Sequence, residues 1–190
     1  MQAKKLIPLL ALLAAACHPA PTTAPEPKAE LRSPDGQLRL CFYISDEGTP
    51  RYALSCGDTP VLLPSRLGFS LRGTVKAEQL DYAADGSVSK SDTAPGIAFD
   101  RGFELAGTDT DSFDEVWTPV WGEESQIRNH YNELLVHLRQ PESGRLLDIR
   151  FRLFDDGLGF RYEFPGGGGL VHFVIKEEQT EFACADDWTA

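Results

Sequence analysis

Positive charge is scarce in this chain. Its 190 residues include 18 lysines and arginines against 29 aspartates and glutamates, which gives a formal net charge of −11. Two of the lysines lie in residues 1–16, which hold no carboxylate, so a chain that begins at residue 17 has 16 basic and 29 acidic side chains and a net charge of −13. An acidic chain repels phosphate backbones, which argues against nucleic acid as a partner.

The chain also lacks a Cys-x-x-Cys motif, although it contains four cysteines. We therefore expect no zinc site and assign no metal ligand. Cys41 and Cys56 flank a turn, and a four-residue loop at 47–50 would place them directly opposite each other on paired strands. An oxidising compartment would allow a cross-strand disulfide between them. Two free thiols on neighbouring strands is the alternative, and Cys184 has no obvious partner.

No apolar run in the amino-terminal region is long enough to span a bilayer. The run at 6–13 follows Lys4 and Lys5 and is followed by small residues up to Cys17. This order is typical of a secretory signal peptide, which we place at residues 1–16. A cysteine directly after small residues also resembles the lipid-attachment site of bacterial lipoproteins, so we predict that Cys17 is the lipidated first residue of the mature chain. Cleavage that leaves Cys17 unmodified is the alternative.

A polar tether follows the predicted anchor. Residues 17–30 are rich in proline and threonine and hold too little apolar surface to fold, so we expect them to be disordered. The remaining residues, 31–190, are enough for one core of normal size. We expect an exported protein of the periplasm or outer membrane that touches the membrane only through its lipid.

Alternation of apolar and polar residues dominates the rest of the chain. It is clearest at 38–44, 67–72 and 134–138, and a period of two residues is typical of strands with one buried face. Helical spacing competes only at 125–138, where the strict alternation at the end of the segment favours a strand. Many strands at hairpin spacing predict an all-β fold, an antiparallel sandwich.

The clearest hairpin is at 147–164. Its Asp156-Gly157 pair suits a two-residue type I′ turn, which would pair Phe151 with Tyr162 on one face. The opposite face would pair Arg150 with Glu163, a favourable match, and Arg152 with Arg161. Two facing arginines are unfavourable unless a carboxylate from elsewhere sits between them. The sequence therefore predicts an acidic neighbour or a covered face.

The least generic stretch combines tryptophans with carboxylates and amides. The acidic loop at 109–115 departs from the EF-hand pattern, and we interpret it as a solvated loop. The tryptophans after it could form a sugar platform, because aromatic faces pack on sugar rings and carboxylates accept hydrogen bonds from hydroxyl groups. The alternative is core packing with buried hydrogen bonds. The candidate substrate-binding or domain-interface residues are Trp117, Trp121, Glu123, Arg128, Asn129, His130 and Asn132.

Several long segments together resemble the amino-terminal domain of glycoside hydrolase family 97. They occur in order from residue 33 to the end of the chain. The segments are 33–36 (SPDG), 64–68 (PSRLG), 112–123 (SFDEVWTPVWGE), 127–134 (IRNHYNEL), 150–164 (RFRLFDDGLGFRYEF) and 173–178 (FVIKEE).

The resemblance implies a β-supersandwich similar to galactose mutarotase, incomplete here at its carboxy-terminal end. Family members are exo-acting α-glucosidases and α-galactosidases of the bacterial periplasm or outer membrane. Their catalytic carboxylates lie in a central (β/α)8 barrel, and glutamates bind a calcium ion in the active site. The resemblance therefore implies that this chain binds no cofactor itself, and that its partners are the catalytic barrel and, together with it, an α-linked oligosaccharide.

The chain offers no catalytic pair of its own. Glycoside hydrolysis needs two carboxylates that flank one bond, but Glu123 with Glu124, and Glu177 with Glu178, are adjacent and would point to opposite faces of a strand. We assign no catalytic residue and expect the sandwich to shape one wall of the active-site cleft and to dock the barrel. Two alternatives are a free-standing carbohydrate-binding lipoprotein and an inactive gene fragment.

Overall fold

The computed structural model describes residues 26–73, 80–82, 84–85, 88–90, 96–166, 170 and 173–187. The predicted signal peptide, Cys17 and most of the tether lie outside the described residues. The described chain forms strands and no helix. The strands are β1 (Ala29–Arg32), β2 (Leu38–Ile44), β3 (Pro50–Cys56), β4 (Thr59–Arg66), β5 (Phe69–Gly73), β6 (Leu80–Tyr82), β7 (Val88–Lys90), β8 (Gly96–Phe99), β9 (Glu104–Trp117), β10 (Ile127–Arg139), β11 (Leu146–Leu153), β12 (Leu158–Glu163) and β13 (Phe173–Glu178).

The strands form where the sequence alternates. In β11, every second side chain is buried, and Leu147, Ile149 and Phe151 are fully enclosed. β10 is a single strand of 13 residues across the segment where a helix competed in the sequence. The all-β prediction is confirmed, because the described residues form only strands. Since strands such as β11 bury one face, a second sheet must cover that face.

Two four-stranded antiparallel sheets face each other. Their strand orders are β1-β2-β3-β4 and β12-β11-β10-β9, and a three-stranded sheet, β13-β5-β8, adds to the sandwich. The rings of Phe42 and Tyr52 both lie 6.2 Å from the ring of Phe151, which joins the two large sheets. Phe69 of β5 contacts Tyr162 of β12 at 4.5 Å between ring centroids, so the third sheet packs on the same core.

The turn between β2 and β3 contradicts the predicted disulfide. The turn holds five residues, so Cys41 lies opposite Ala53 and Cys56 lies opposite Leu38, and both cysteines are free. Cys56 is three positions from Ala53, or about 10 Å along the strand, whereas bonded cysteines have Cα atoms within about 7 Å. The observed register aligns the apolar faces by pairing Phe42 with Tyr52, and burial of those faces decides the register.

The register predicted for the β11–β12 hairpin is also wrong, by two residues. Phe151 pairs with Phe160 and Arg150 pairs with Arg161, so the loop at 154–157 holds four residues instead of two. Within this loop the Phe154 amide donates to the Gly157 carbonyl at 2.8 Å, and Gly157 does not adopt the positive φ that a type I′ turn needs. A shift of two residues preserves the faces, so the predicted apolar face of this hairpin is confirmed.

One side of the sandwich exposes apolar side chains. Along this side β12 faces the segment 179–185, with ring centroids of Phe160 and Phe182 6.2 Å apart. Phe182 is 64% exposed, and Ile175 of the adjoining strand β13 is 47% exposed. We call this side the open rim. It combines two sheet edges with apolar side chains between them.

Candidate functional site

The hairpin of β9 and β10 is the longest in the chain among the residues that the structure describes. Its strands have 14 and 13 residues, and they pair without interruption from Leu135 and Asp109 out to Ile127 and Trp117. Its outer half extends past the core, because most side chains of β9 are exposed. We call residues 112–130 the tip.

One face of the tip is aromatic. The rings of Phe113 and Tyr131 stack at 5.4 Å between centroids, and Phe154 lies 5.2 Å from Tyr131. The guanidinium carbon of Arg152 lies 4.5 Å from the centre of the Tyr131 ring, a cation–π contact. This row of rings packs the hairpin against the loop between β11 and β12 where it leaves the sandwich.

The end of the tip exposes large apolar side chains. Trp117, the last residue of β9, is 47% exposed, and Trp121 in the loop 118–126 is 88% exposed. Val120 beside it is fully exposed. Exposed apolar side chains grouped in this way are candidates for a binding or docking surface. The tip thus has packed aromatic rings at its base and exposed apolar side chains at its outer end.

The opposite face of the tip is polar. Arg128 donates two hydrogen bonds of 2.8 Å to Asp114, and this ion pair lowers the pKa of the Asp114 carboxyl and raises the pKa of Arg128. Asn132 donates to the Arg32 carbonyl at 2.9 Å and fastens the hairpin to β1. His130 lies opposite Asp114, and its buried Nδ1 has no hydrogen-bond partner among the described residues.

The structure distributes the predicted site residues over three places. Arg128 and His130 lie on the polar face of the tip, and Asn132 continues this face just beyond it along β10. Asn129, paired with Glu115, and Trp117, paired with Ile127, belong to the aromatic face, because directly opposite residues share a face. Trp121 and Glu123 are exposed in the loop between the strands. The loop joins the two groups at the outer end, and the joint role of these residues stays a prediction.

A charged network covers the sheet beside the tip. Glu133 contacts both Arg150 and Arg152, and Glu163 contacts Arg150 at 2.6 Å and Arg161 at 2.7 Å. The hydrogen bonds from Arg150 and Arg161 lower the pKa of Glu163 to about 2, and hydrogen bonds to Glu163 and Glu133 raise the pKa of Arg150. The predicted pairing of Arg152 with Arg161 is wrong, because Arg152 lies opposite Gly159 and Arg150 lies opposite Arg161. Acidic neighbours are nevertheless present: Glu163 contacts both facing arginines, and Glu133 contacts Arg152. The sequence gives no sign that Glu133, on a different strand, would join this network.

Comparison with known proteins agrees with this fold. Residues 31–190 match the family described as glycosyl-hydrolase 97 N-terminal. The chain belongs to this family.

The family 97 domain resembles longer proteins over a small part of their length. It is 27% identical over 161 residues to a retaining alpha-galactosidase of Bacteroides thetaiotaomicron, and the match covers 84% of this chain and 19% of that protein. It is 29% identical to a glycoside hydrolase family 97 enzyme from Pseudoalteromonas sp. strain K8, solved in complex with acarbose, with a TM-score of 0.66 and coverage of 83% and 20%. A beta-arabinopyranosidase matches with 27% identity, a TM-score of 0.63 and coverage of 82% and 21%. The chain spans about a fifth of the length of these relatives.

The described part of the family 97 domain assembles no metal site. Within it, no group of three or more histidines, cysteines, aspartates or glutamates is placed to hold a metal ion. The calcium that the resemblance implies for full-length enzymes is therefore not assigned to these residues. The same described part of the chain contains no helix that could cross a membrane.

A cavity of about 700 Å³ lies at the end of the domain opposite the tip. It is lined by the β2–β3 turn, the loop before β9 and the turn after β10. The side-chain amide of Gln140 lies in its wall and donates to the carbonyls of Ala98 and Arg101 at 3.0 and 2.7 Å. These bonds use the amide of Gln140 to join the turn after β10 to β8 and the loop before β9. The predicted site residues are not among the residues that line this cavity.

Proposed function

We propose that this chain is the non-catalytic amino-terminal part of a family 97 glycoside hydrolase that acts on α-linked glucosides or galactosides. In this role the tip forms one wall of the carbohydrate cleft and docks the catalytic (β/α)8 barrel. The observation that carries the proposal is the exposed aromatic end of a long hairpin, within a domain whose relatives include an alpha-galactosidase and an enzyme solved with acarbose.

The residues of the tip suit a sugar-facing wall. Trp121 offers an exposed aromatic face for a sugar ring, and Glu123 offers carboxylate oxygens that accept hydrogen bonds from hydroxyl groups. Trp117 and Val120 add apolar area suited to packing against a neighbouring domain. Catalysis is not part of the proposed role, because the adjacent glutamate pairs of the sequence are not spaced to flank a glycosidic bond.

We also propose that the domain acts outside the cytoplasm. The basic start at Lys4 and Lys5, the apolar run that follows and the small residues before Cys17 support export and a lipid anchor at Cys17. Metabolic labelling with a radioactive fatty acid in a bacterial host tests the anchor. Labelled protein that disappears in Cys17→Ala supports it, and an unlabelled wild-type protein refutes it.

The sugar-facing role predicts weak binding that depends on the tip. We expect the full chain to bind panose, the ligand in a structure of a family 97 enzyme from Pseudoalteromonas sp. strain K8. The dissociation constant should be on the order of millimolar, because a single wall supplies only part of a cleft. Trp121→Ala should weaken this binding at least about tenfold, since loss of one stacking ring removes about 1.5 kcal/mol. Isothermal titration calorimetry measures both constants.

A matched control separates stacking from general loss of aromatic surface. Phe182→Ala removes another exposed ring, on the open rim instead of the tip, and should leave panose binding unchanged. Equal weakening by the two substitutions, or full binding by Trp121→Ala, would refute a sugar-facing tip.

A further inference from the structure

His137 of β10 lies between two carboxylates from the strands on either side of it. Its Nε2 atom is 3.0 Å from Oδ2 of Asp109 on β9, and its Nδ1 atom is 2.9 Å from Oδ1 of Asp148 on β11. The imidazole thus connects three adjacent strands across the outer face of the sheet. β9 is an edge strand: among the described strands it pairs with β10 on one side, and its other side is unpaired.

We propose that His137 is a pH-operated clamp that fastens the edge strand β9 to the sheet when protonated and loosens it when neutral. An imidazolium carries two N–H donors and can serve both carboxylates. A neutral imidazole carries one, so one carboxylate then faces a ring nitrogen that has only a lone pair. Loss of the proton therefore removes one charge-assisted hydrogen bond and leaves two carboxylates on either side of an uncharged ring.

The exposure of the two carboxylates indicates which of them loses its hydrogen bond to His137. The Asp109 side chain is 76% exposed and the Asp148 side chain is 15% exposed. Water can replace His137 as the partner of Asp109 more easily than as the partner of Asp148. The clamp also lies at the irregularity between His137 and Leu138, where the pairing of β9 with β10 changes register. The strand is least firmly held at this point, because a bulge interrupts the ladder.

Among the described charged residues around Asp109 and Asp148, His137 is the cation recorded in contact with both carboxylates. Asp111, two residues along β9, lies opposite Glu133, and Arg139, two residues along β10, lies opposite Glu104. On the far side Asp148 lies opposite Glu163, which is bound by Arg150 and Arg161. The ion pairs that the structure records for Asp109 and Asp148 are both with His137. The hydrogen bonds to Asp109 and Asp148 raise the pKa of His137.

The pH window follows from the direction of that shift. A histidine with a raised pKa contributes its full stabilisation below the unfolded-state value of about 6.5 and loses it as the pH rises through the folded-state pKa. The same hairpin carries the tip, so the clamp would make the order of β9 depend on pH. The proposal does not rest on sugar binding, and its test uses no sugar.

Nuclear magnetic resonance of the full chain tests the clamp. The ring signals of His137 give its pKa, and hydrogen exchange of the β9 amides at 107–111, compared with those of β11, gives the opening equilibrium of the edge strand. We expect a pKa above the ordinary value of about 6.5. Between pH values below and above that pKa, opening of β9 should rise about tenfold for each unit by which the pKa is raised, and β11 should not follow.

Two substitutions on β9 make the test specific. Asp109→Asn should lower the pKa of His137 and abolish the pH dependence of β9 opening. Asp111→Asn removes the same charge from the same strand and face, but Asp111 lies opposite Glu133. This substitution should leave the pKa of His137 and the pH dependence of β9 opening nearly unchanged. An unshifted wild-type pKa, β9 opening that is independent of pH, or equal effects of the two substitutions would overturn the proposal. The wild-type titration decides even if a variant fails to fold.

Discussion

Arg150 joins three strands on the outer face of the sheet that carries the tip. Its side chain is 21% exposed, and its partners Glu133 and Glu163 are 10% and 28% exposed. Removing its guanidinium leaves each carboxylate with a single arginine, Glu133 with Arg152 and Glu163 with Arg161. The loss of charge-assisted hydrogen bonds to two poorly solvated carboxylates should therefore destabilise this face, although both carboxylates keep a partner.

We predict that Arg150→Met lowers the free energy of unfolding by about 2 kcal/mol. Urea unfolding followed by fluorescence measures the change. Arg161→Met is the matched control, because Arg161 is 63% exposed and shares Glu163, and its loss should cost less than about 1 kcal/mol. Equal costs for the two substitutions would contradict the central place given to Arg150.

Glu163 should make the domain sensitive to acid. Hydrogen bonds from Arg150 and Arg161 lower its pKa to about 2 from an ordinary 4.5, so its stabilisation is complete above about pH 4.5 and is lost as the pH falls through 2. We predict that Glu163→Gln loses less stability than the wild type between these pH values. Unfolding curves at stepped pH measure the difference, with Glu142→Gln on an exposed turn as control. Parallel acid losses in wild type and Glu163→Gln would contradict the assignment.

The β2–β3 turn packs closely against the loop before β9. Gly48 has φ +73°, and a Cβ at this position would lie 2.5 Å from the Phe103 amide nitrogen. That amide donates to the Gly48 carbonyl at 3.0 Å, so the turn is fastened to the loop before β9. Neither backbone segment can move without breaking this bond. The absence of a side chain at Gly48 is therefore a requirement of packing as well as of conformation.

We predict that Gly48→Ala lowers the free energy of unfolding by at least about 3 kcal/mol, because conformational strain and a backbone clash add. Gly57→Ala separates the two causes. Gly57 also has a positive φ, +55°, but a Cβ there would meet no atom within 4 Å beyond its chain neighbours, so strain alone should cost about 1 kcal/mol. Thermal unfolding compares the two. Similar losses would show that the contact with Phe103 is unimportant.

At the scale of strands, periodicity predicted faces well and registers poorly. Alternation identified the buried face of β11 and β12 because burial repeats every two residues. A two-residue change in loop length leaves that pattern unchanged, so the sequence could not distinguish a loop at 154–157 from a tighter turn. At Cys41 the apolar pattern does decide: only the observed register buries Phe42 with Tyr52, and it separates the cysteines.

The site was less predictable than the fold, for the same physical reason. The tip residues are close in sequence, but alternation along β10 sends Arg128 and Asn129 to opposite faces. The Glu133 network and the clamp at His137 depend on which strands become neighbours, and contacts across three strands leave no local signal. Family resemblance supplied the domain type, because long matching segments reflect the whole fold and not one contact.

At the scale of the molecule, part of the excess of acidic residues lies on an edge strand of a sheet. The edge strand β9 carries Asp109, Asp111, Asp114 and Glu115, and charges on an edge suppress pairing with another copy of the chain. The open rim at β12 and β13 has Ile175 and Phe182 exposed instead. The two edges therefore differ in character, one protected by charge and the other apolar.

The central claim is that the tip, and no other part of the domain, faces the carbohydrate. A residue-resolved nuclear magnetic resonance titration of the full chain with panose tests it most directly. The account predicts amide and indole shifts confined to 112–130, largest at Trp121 and its neighbours, with none around the cavity near Gln140. Shifts centred on that cavity, or no shift at the tip at concentrations up to about 50 mM, well above a millimolar dissociation constant, would contradict the account.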